Sequence, residues 1–179
     1  MMTTTRVLLL PGWLNSDPSY WQSRWESKLG FERVEQADWQ WPRRGDWMAR
    51  LDEVLLGDER ATVLVAHSLG CQLVSGWAEH SQHTARVKGA LLVAPPDTER
   101  EDTPPQLHNW RPIRRGRLPF PSIAVLSSND PFCSLERGMQ MAADWGSDVV
   151  LAGPRGHLNG KSGLGDWAEG QALIAPWIA

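Results

Sequence analysis

The chain is poor in several things, and each shortage closes a door. It has two cysteines in 179 residues, Cys71 and Cys133. They are too few for a disulfide scaffold and lack metal-ligand spacing, so both read as reduced packing residues. No apolar run approaches the roughly 18 residues a membrane span needs. The first one, Val7 to Leu10, halts at Pro11-Gly12, too short for a secretory signal. The expectation is a soluble cytoplasmic protein with no membrane partner. The net charge of -3 lacks the basic surface that nucleic acid demands, and Arg114-Arg115-Gly116-Arg117 reads as a solvated loop. There is no phosphate loop, no dinucleotide glycine fingerprint and no clustered metal ligands, so neither a metal nor a cofactor is expected. Internal repeats and low-complexity tracts are missing as well.

What is abundant is tryptophan, eleven against one tyrosine. Trp is costly unless it packs or lines a pocket, so some of these are expected to wall a site. The length suits one domain, residues 1–179, with one substantial core. Arg6 to Leu10, Thr62 to Ala66, Val87 to Ala94, Ile123 to Leu126 and Asp148 to Ala152 are short apolar runs of the kind buried in a parallel sheet, and Phe31 to Glu35 is a weaker strand. Helical spacing lies between them. Asp17-Pro18 is expected to open a helix carrying Tyr20, Trp21, Trp25 and Leu29, stopped by Gly30. Asp46 is expected to cap a second through Leu56. Others follow Leu69, Ser134 and Glu169. Strands alternating with helices predict an α/β fold, a three-layer α/β/α sandwich on a mostly parallel sheet of about six strands. Residues 95–121 hold seven of the thirteen prolines, which forbids a long helix or central strand there. Such an excursion is usually functional or mobile. It would lie beside the site, with Trp110 and Phe120 as pocket walls or as packing.

The most informative stretch is Thr62 to Val74, TVLVAHSLGCQLV. It reads as strand, sharp turn, helix, with Ser68 at the apex. A serine standing proud on a strained turn needs small residues two before and two after it, where neighbouring backbone comes close. Ala66 and Gly70 supply them, giving G-x-S-x-G with Ala in the first position. The N–H of Leu69 would then point at a substrate oxygen from a helix N-terminus. Locally, Ser68 could equally be the N-cap of that helix.

Ligands in such sheets bind at the carboxyl ends of the strands. There stand Gly12-Trp13, Ser68, Pro95-Pro96-Asp97, Asn129-Asp130 and Gly156-His157. A serine, an acid and a histidine in the order Ser, Asp, His suggest acyl transfer: Ser68 as nucleophile, Asp130 as acid, His157 as base. Trp13, with Leu14 next, is the candidate second oxyanion donor beside Leu69. Asp97 is a rival acid. His67 is read as packing or orienting the turn rather than acting as base. His80, His83 and His108 sit on surface-like stretches. The glycines around His157 suggest a mobile loop that lets the ring reach across the sheet edge.

These residues resemble the α/β-hydrolase superfamily. More narrowly, the chain is similar to the small serine hydrolases related to YdeN and to retinoblastoma-binding protein nine. The resemblance rests on LPGW (10–13), YWQSRWE (20–26), VAHSLG (65–70), LPFPSIAVLSSNDPFCS (118–134) and GHLNGKSGLGDW (156–167), nearly the whole chain. It implies Ser68, Asp130 and His157 as the triad, and a minimal hydrolase fold without a helical lid. The expected site is open and shallow, suited to short acyl esters. Tyr20 stands where many relatives have histidine, which touches a groove contact rather than the chemistry. Carboxylesterase-like cleavage of a small acyl substrate is the first expectation. The alternative is a weakly catalytic or non-catalytic protein-binding member of the same fold, although no feature indicates a protein partner. A thioesterase or C–C hydrolase at the same elbow is a third.

Overall fold

The computed structural model describes residues 4–179. Six strands form one sheet: β1 (Arg6–Leu10), β2 (Glu32–Arg33), β3 (Thr62–His67), β4 (Val87–Val93), β5 (Ser122–Leu126) and β6 (Asp148–Leu151). Their order is β2-β1-β3-β4-β5-β6, and all neighbours are parallel. The helices are α1 (Trp21–Leu29), α2 (Arg44–Leu56), α3 (Leu69–His80), α4 (Leu135–Trp145) and α5 (Ala168–Ile178).

The period-2 alternation of strand side chains sorts the apolar runs into two cores. Leu8, Leu10, Leu64, Ala66 and Leu92 face a core built with Trp47, Leu51 and Leu55 of α2, Leu73 and Trp77 of α3, and Met141 and Trp145 of α4. Val7, Leu9, Val63, Val65, Leu91 and Val93 face the other, with Trp21 and Trp25 of α1 and Ile174 of α5. Helices therefore cover both faces of a parallel sheet, the three-layer sandwich expected. Among the described residues no helix is long and apolar enough to cross a membrane.

Two helix starts differ from expectation. Asp17 closes a turn instead of opening α1: its carboxylate accepts the Ser19 N–H at 2.7 Å, and the Tyr20 N–H donates to the Asp17 carbonyl. The helix begins only at Trp21. Helix α2 starts before Asp46, at Arg44. The cap comes from elsewhere in the chain, because Asn109 Oδ1 accepts the Arg44 N–H at 2.7 Å. Asp46 lies in the first turn, where a carboxylate complements the helix dipole.

The proline-rich excursion is packed down. Leu107, Trp110, Ile113, Leu118 and Phe120 are buried in the α2/α3 core, so Trp110 and Phe120 are packing rather than pocket walls. The Arg44 guanidinium donates to the carbonyls of Trp110, Arg111 and Pro112. The tryptophans have a related job. Trp21, Trp25, Trp47, Trp77, Trp110 and Trp145 are fully buried. Five of these indole N–H groups donate to loop carbonyls, those of Leu158, Asp166, Asp38, Pro42 and Arg114. Trp77 instead donates to the Asp52 carboxylate at 2.6 Å. A large apolar ring seated in the core thus tethers an irregular segment to it.

Candidate active site

Strand β3 ends in a turn that few residues tolerate. Ser68 has φ 56° and ψ -123°, a conformation that costs about 1–3 kcal/mol and persists only when its surroundings enforce it. The Ser68 N–H donates to Val93 on β4 and its carbonyl accepts from Cys71, each at 2.9 Å. A Cβ on Gly70 would lie 2.2 Å from the Leu10 carbonyl oxygen, and one on Gly12 would lie 2.9 Å from Ser68 Cβ. Glycine at both positions lets β1 press against the turn. The Ser68 side chain makes no capping hydrogen bond to α3. Its Oγ lies instead 2.8 Å from His157 Nε2.

His157 Nδ1 lies 2.9 and 3.0 Å from the two Asp130 oxygens. Both side chains are sheltered, at 9% and 4% exposure. Asp130 Oδ1 also accepts the Phe132 N–H at 2.9 Å, which fixes the carboxylate plane. With Nδ1–H donating to Asp130, Nε2 is left as acceptor for the Ser68 hydroxyl. The rival Asp97 is engaged elsewhere, 3.6 Å from the Arg137 guanidinium, with Oδ1 accepting the Glu99 N–H. His80 and His108 turn to backbone carbonyls of Gly76 and Thr103, and His83 precedes the 3-10 turn at Thr84–Arg86. None of the three joins the cluster.

His67, next to Ser68 in sequence, turns its ring toward His157, with ring centroids 5.0 Å apart. Its Nε2–H donates to the His157 carbonyl at 2.9 Å. Burial, then the neighbouring His157, holds its pKa down to about 3, so the ring is a neutral donor and no base.

That bond is one of four. Arg155 N–H donates to Ser127 Oγ at 3.0 Å and Gly156 N–H to Asn129 Oδ1 at 2.7 Å. The His157 carbonyl takes the His67 proton, and the Leu158 carbonyl takes the Trp21 indole N–H at 2.9 Å. Four consecutive residues are each held by a different side chain. This loop was expected to be mobile on account of its glycines. The glycines supply backbone geometry instead, Gly156 and Gly163 having φ of 62° and 67°. Sequence reasoning put Asn129 just past a strand end and Trp21 on the helix after β1, but gave neither of them, nor Ser127, a part in holding this loop. The only available signal was their place just past a strand end or on the helix after β1.

Two backbone N–H groups, one past the end of β1 and one at the start of α3, remain unspent. Among the described residues, those of Trp13 and Leu69 have no hydrogen-bond partner. The Leu14 N–H is used, donating to the Trp39 carbonyl at 3.1 Å, which removes the second choice for that donor. Tyr20 packs against Gly160 and edge-on to His67, a contact at the rim of the cluster. No three His, Cys, Asp or Glu side chains among the described residues gather as a metal site would require. The Ser68, His157 and Asp130 arrangement can take a proton from a hydroxyl and return it.

The whole chain can be set beside known proteins. No curated protein matches it. Among solved structures, a YdeN-like hydrolase from Pectobacterium atrosepticum is 27% identical, covers 97% of this chain and 90% of its own, and superposes with a TM-score of 0.85. The ydeN gene product of B. subtilis is 19% identical with a TM-score of 0.74, covering 98% of both chains. A Bacillus cereus carboxylesterase is 17% identical, covers 86% of this chain and 81% of its own, and has a TM-score of 0.59. These last two show likeness of fold alone. The family model described as serine hydrolase matches residues 7–176, and with the parallel sheet and the strained serine turn in place, the chain belongs to the small serine hydrolases of α/β-hydrolase type.

Proposed function

We propose that the protein cleaves a small ester, in the manner of a carboxylesterase, through an acyl-enzyme on Ser68. One observation carries the reading: an unbroken hydrogen-bond chain, Asp130 to His157 to Ser68, ending on a serine held in a strained turn. As Ser68 Oγ bonds to the acyl carbon, its proton passes to His157 Nε2. The buried Asp130 carboxylate stabilises the imidazolium and fixes its tautomer. The N–H groups of Leu69 and Trp13 take the tetrahedral oxyanion, each such donor being worth about 3 kcal/mol in comparable enzymes. The intermediate collapses, the C–O bond to the alcohol breaks, and His157 returns the proton to the leaving oxygen. Water, deprotonated by His157, then frees the acid and restores Ser68. Ser68 is only half-buried, and the longest insertion is packed into the α2/α3 core. That favours short acyl groups over long lipids.

A fluorophosphonate probe tests this reading on the intact chain. Labelling of wild type that vanishes in Ser68→Ala and falls sharply in His157→Ala supports it. Folded wild type that neither labels nor hydrolyses any short aryl ester overturns it and favours a binding role for the fold.

A further inference from the structure

A groove of about 500 Å³ opens at His157. Its walls include Pro131, Phe132, Arg155, Asn159 and Lys161. Phe132 is 53% exposed, so its ring is open to a ligand as an apolar wall. It stands edge-on to the His157 imidazole, with centroids 4.7 Å apart. The charges at the other wall lack carboxylate partners. Most arginines are spent on carboxylates, as Arg24, Arg33, Arg60, Arg100, Arg115 and Arg137 are. Arg155 and Lys161 enter no ion pair among the described residues. Their only hydrogen bonds come from backbone N–H groups, which leaves the guanidinium and ammonium free. No Asp or Glu lines the groove. The nearest acid in sequence, Asp130, is buried and already shared between His157 and the Phe132 N–H. So an otherwise acidic chain presents two uncompensated cations and one apolar wall beside the group that protonates the leaving atom.

We propose that this groove is the leaving-group subsite and that it selects a leaving group carrying a carboxylate, a hydroxy acid in an ester. The body of the leaving group lies on Phe132 and Pro131, and its carboxylate lies between Arg155 and Lys161. The inference rests on the hydrolase reading of Ser68 and His157. The bond that breaks is the one from the acyl carbon to the hydroxy-acid oxygen. The acyl group stays on Ser68, and His157 gives its proton to the departing oxygen.

The probes are 4-acetoxybenzoate and its neutral analogue 4-acetoxybenzamide, with 4-hydroxybenzoate and 4-hydroxybenzamide as the matching products. An exposed ion pair is worth up to about fivefold in affinity, so two cations should give wild type a kcat/KM ratio near tenfold in favour of the carboxylate. The ratio should fall toward one in Arg155→Ala/Lys161→Ala and as salt rises from 20 to 500 mM. Lys88→Ala removes one positive charge remote from the groove and should keep the ratio. Binding of the two products to Ser68→Ala, followed by NMR, measures the same preference without chemistry. A wild-type ratio near one, or a ratio that the double variant leaves unchanged, overturns the subsite. Selective product binding that the double variant abolishes, with no hydrolysis by wild type, upholds the subsite and overturns the catalytic reading instead.

Discussion

Gly12→Ala presses on the serine turn from the end of β1. Gly12 is buried and its φ lies outside the left-handed region, so alanine adds no backbone strain there. Only the new methyl matters. It would stand 2.9 Å from Ser68 Cβ, 3.1 Å from the His67 carbonyl oxygen and 3.1 Å from the Leu69 nitrogen. The first contact is shorter than packed carbons accept, so β1 or the turn must give, and overpacking of this size costs about 1–3 kcal/mol. For a chain of this length that lowers Tm by roughly 2–12 °C, at about 2–4 °C per kcal/mol. The third contact bears on catalysis. An oxyanion sits about 2.7–3.1 Å from its donors, and the methyl stands at that distance from the Leu69 N–H. Losing one donor lowers kcat by about 10²–10³ with KM little changed. The assay is kcat and KM on a short aryl acetate, beside a thermal melt and the rate of fluorophosphonate labelling. A folded Gly12→Ala protein with kcat within threefold of wild type would refute the assignment of Leu69 as an oxyanion donor.

Other perturbations separate the remaining parts. Asp130→Asn keeps the shape but offers His157 Nδ1 the wrong partner, so kcat should fall by about 10⁴, as in other Ser-His-Asp enzymes; a fall under tenfold on a short ester would remove Asp130 from the mechanism. His67 stays neutral in the fold down to about pH 3, whereas the unfolded chain protonates it near 6.5. Between those values the unfolded state binds the extra proton, so stability falls as pH falls, by up to about 1.4 kcal/mol per unit. Urea melts at pH 6.5 and 5 should show about 2 kcal/mol more loss for wild type than for His67→Asn, and equal losses would contradict a buried neutral His67. Burial pushes the Cys133 thiol up to about 12, helped by Asp97 and Asp130, and burial likewise raises Cys71. A disulfide reagent at pH 8 should therefore label neither until urea is added, and rapid labelling of one equivalent in the native protein would show an open thiol. Gly45→Ala meets open space in the first turn of α2, so it should raise stability by up to about 1 kcal/mol and leave kcat untouched.

The candidate triad was legible because its constraints are local, while the supports that position it are not. A strained serine turn demands small neighbours within two residues, so Ala66 and Gly70 announce Ser68 in any listing of the chain. Apolar runs locate the strand ends, and with them Asp130 and His157. The supports carry no such signature. The Arg44 N–H at the start of α2 is capped by Asn109, 65 residues away, and an ordinary asparagine in a proline-rich loop gives no local hint of it. The His157 loop shows the same thing more sharply. Its anchors Trp21, His67, Ser127 and Asn129 come from three separate parts of the chain, up to 137 residues distant, and each is a residue type common in packing or turns. Its glycines suggested freedom because a sequence shows the missing side chain and not the partners of the backbone. Yet catalysis needs reacting groups held to within about 0.5 Å, and a glycine-rich loop left to itself would smear the 2.8 Å contact between His157 and Ser68 over several ångströms. The four anchors are what reconcile that loop with that contact. It follows that cutting any of them, Trp21→Phe being the mildest, should lower kcat more than it raises KM, because the substrate groove survives while the fraction of His157 within reach of Ser68 does not.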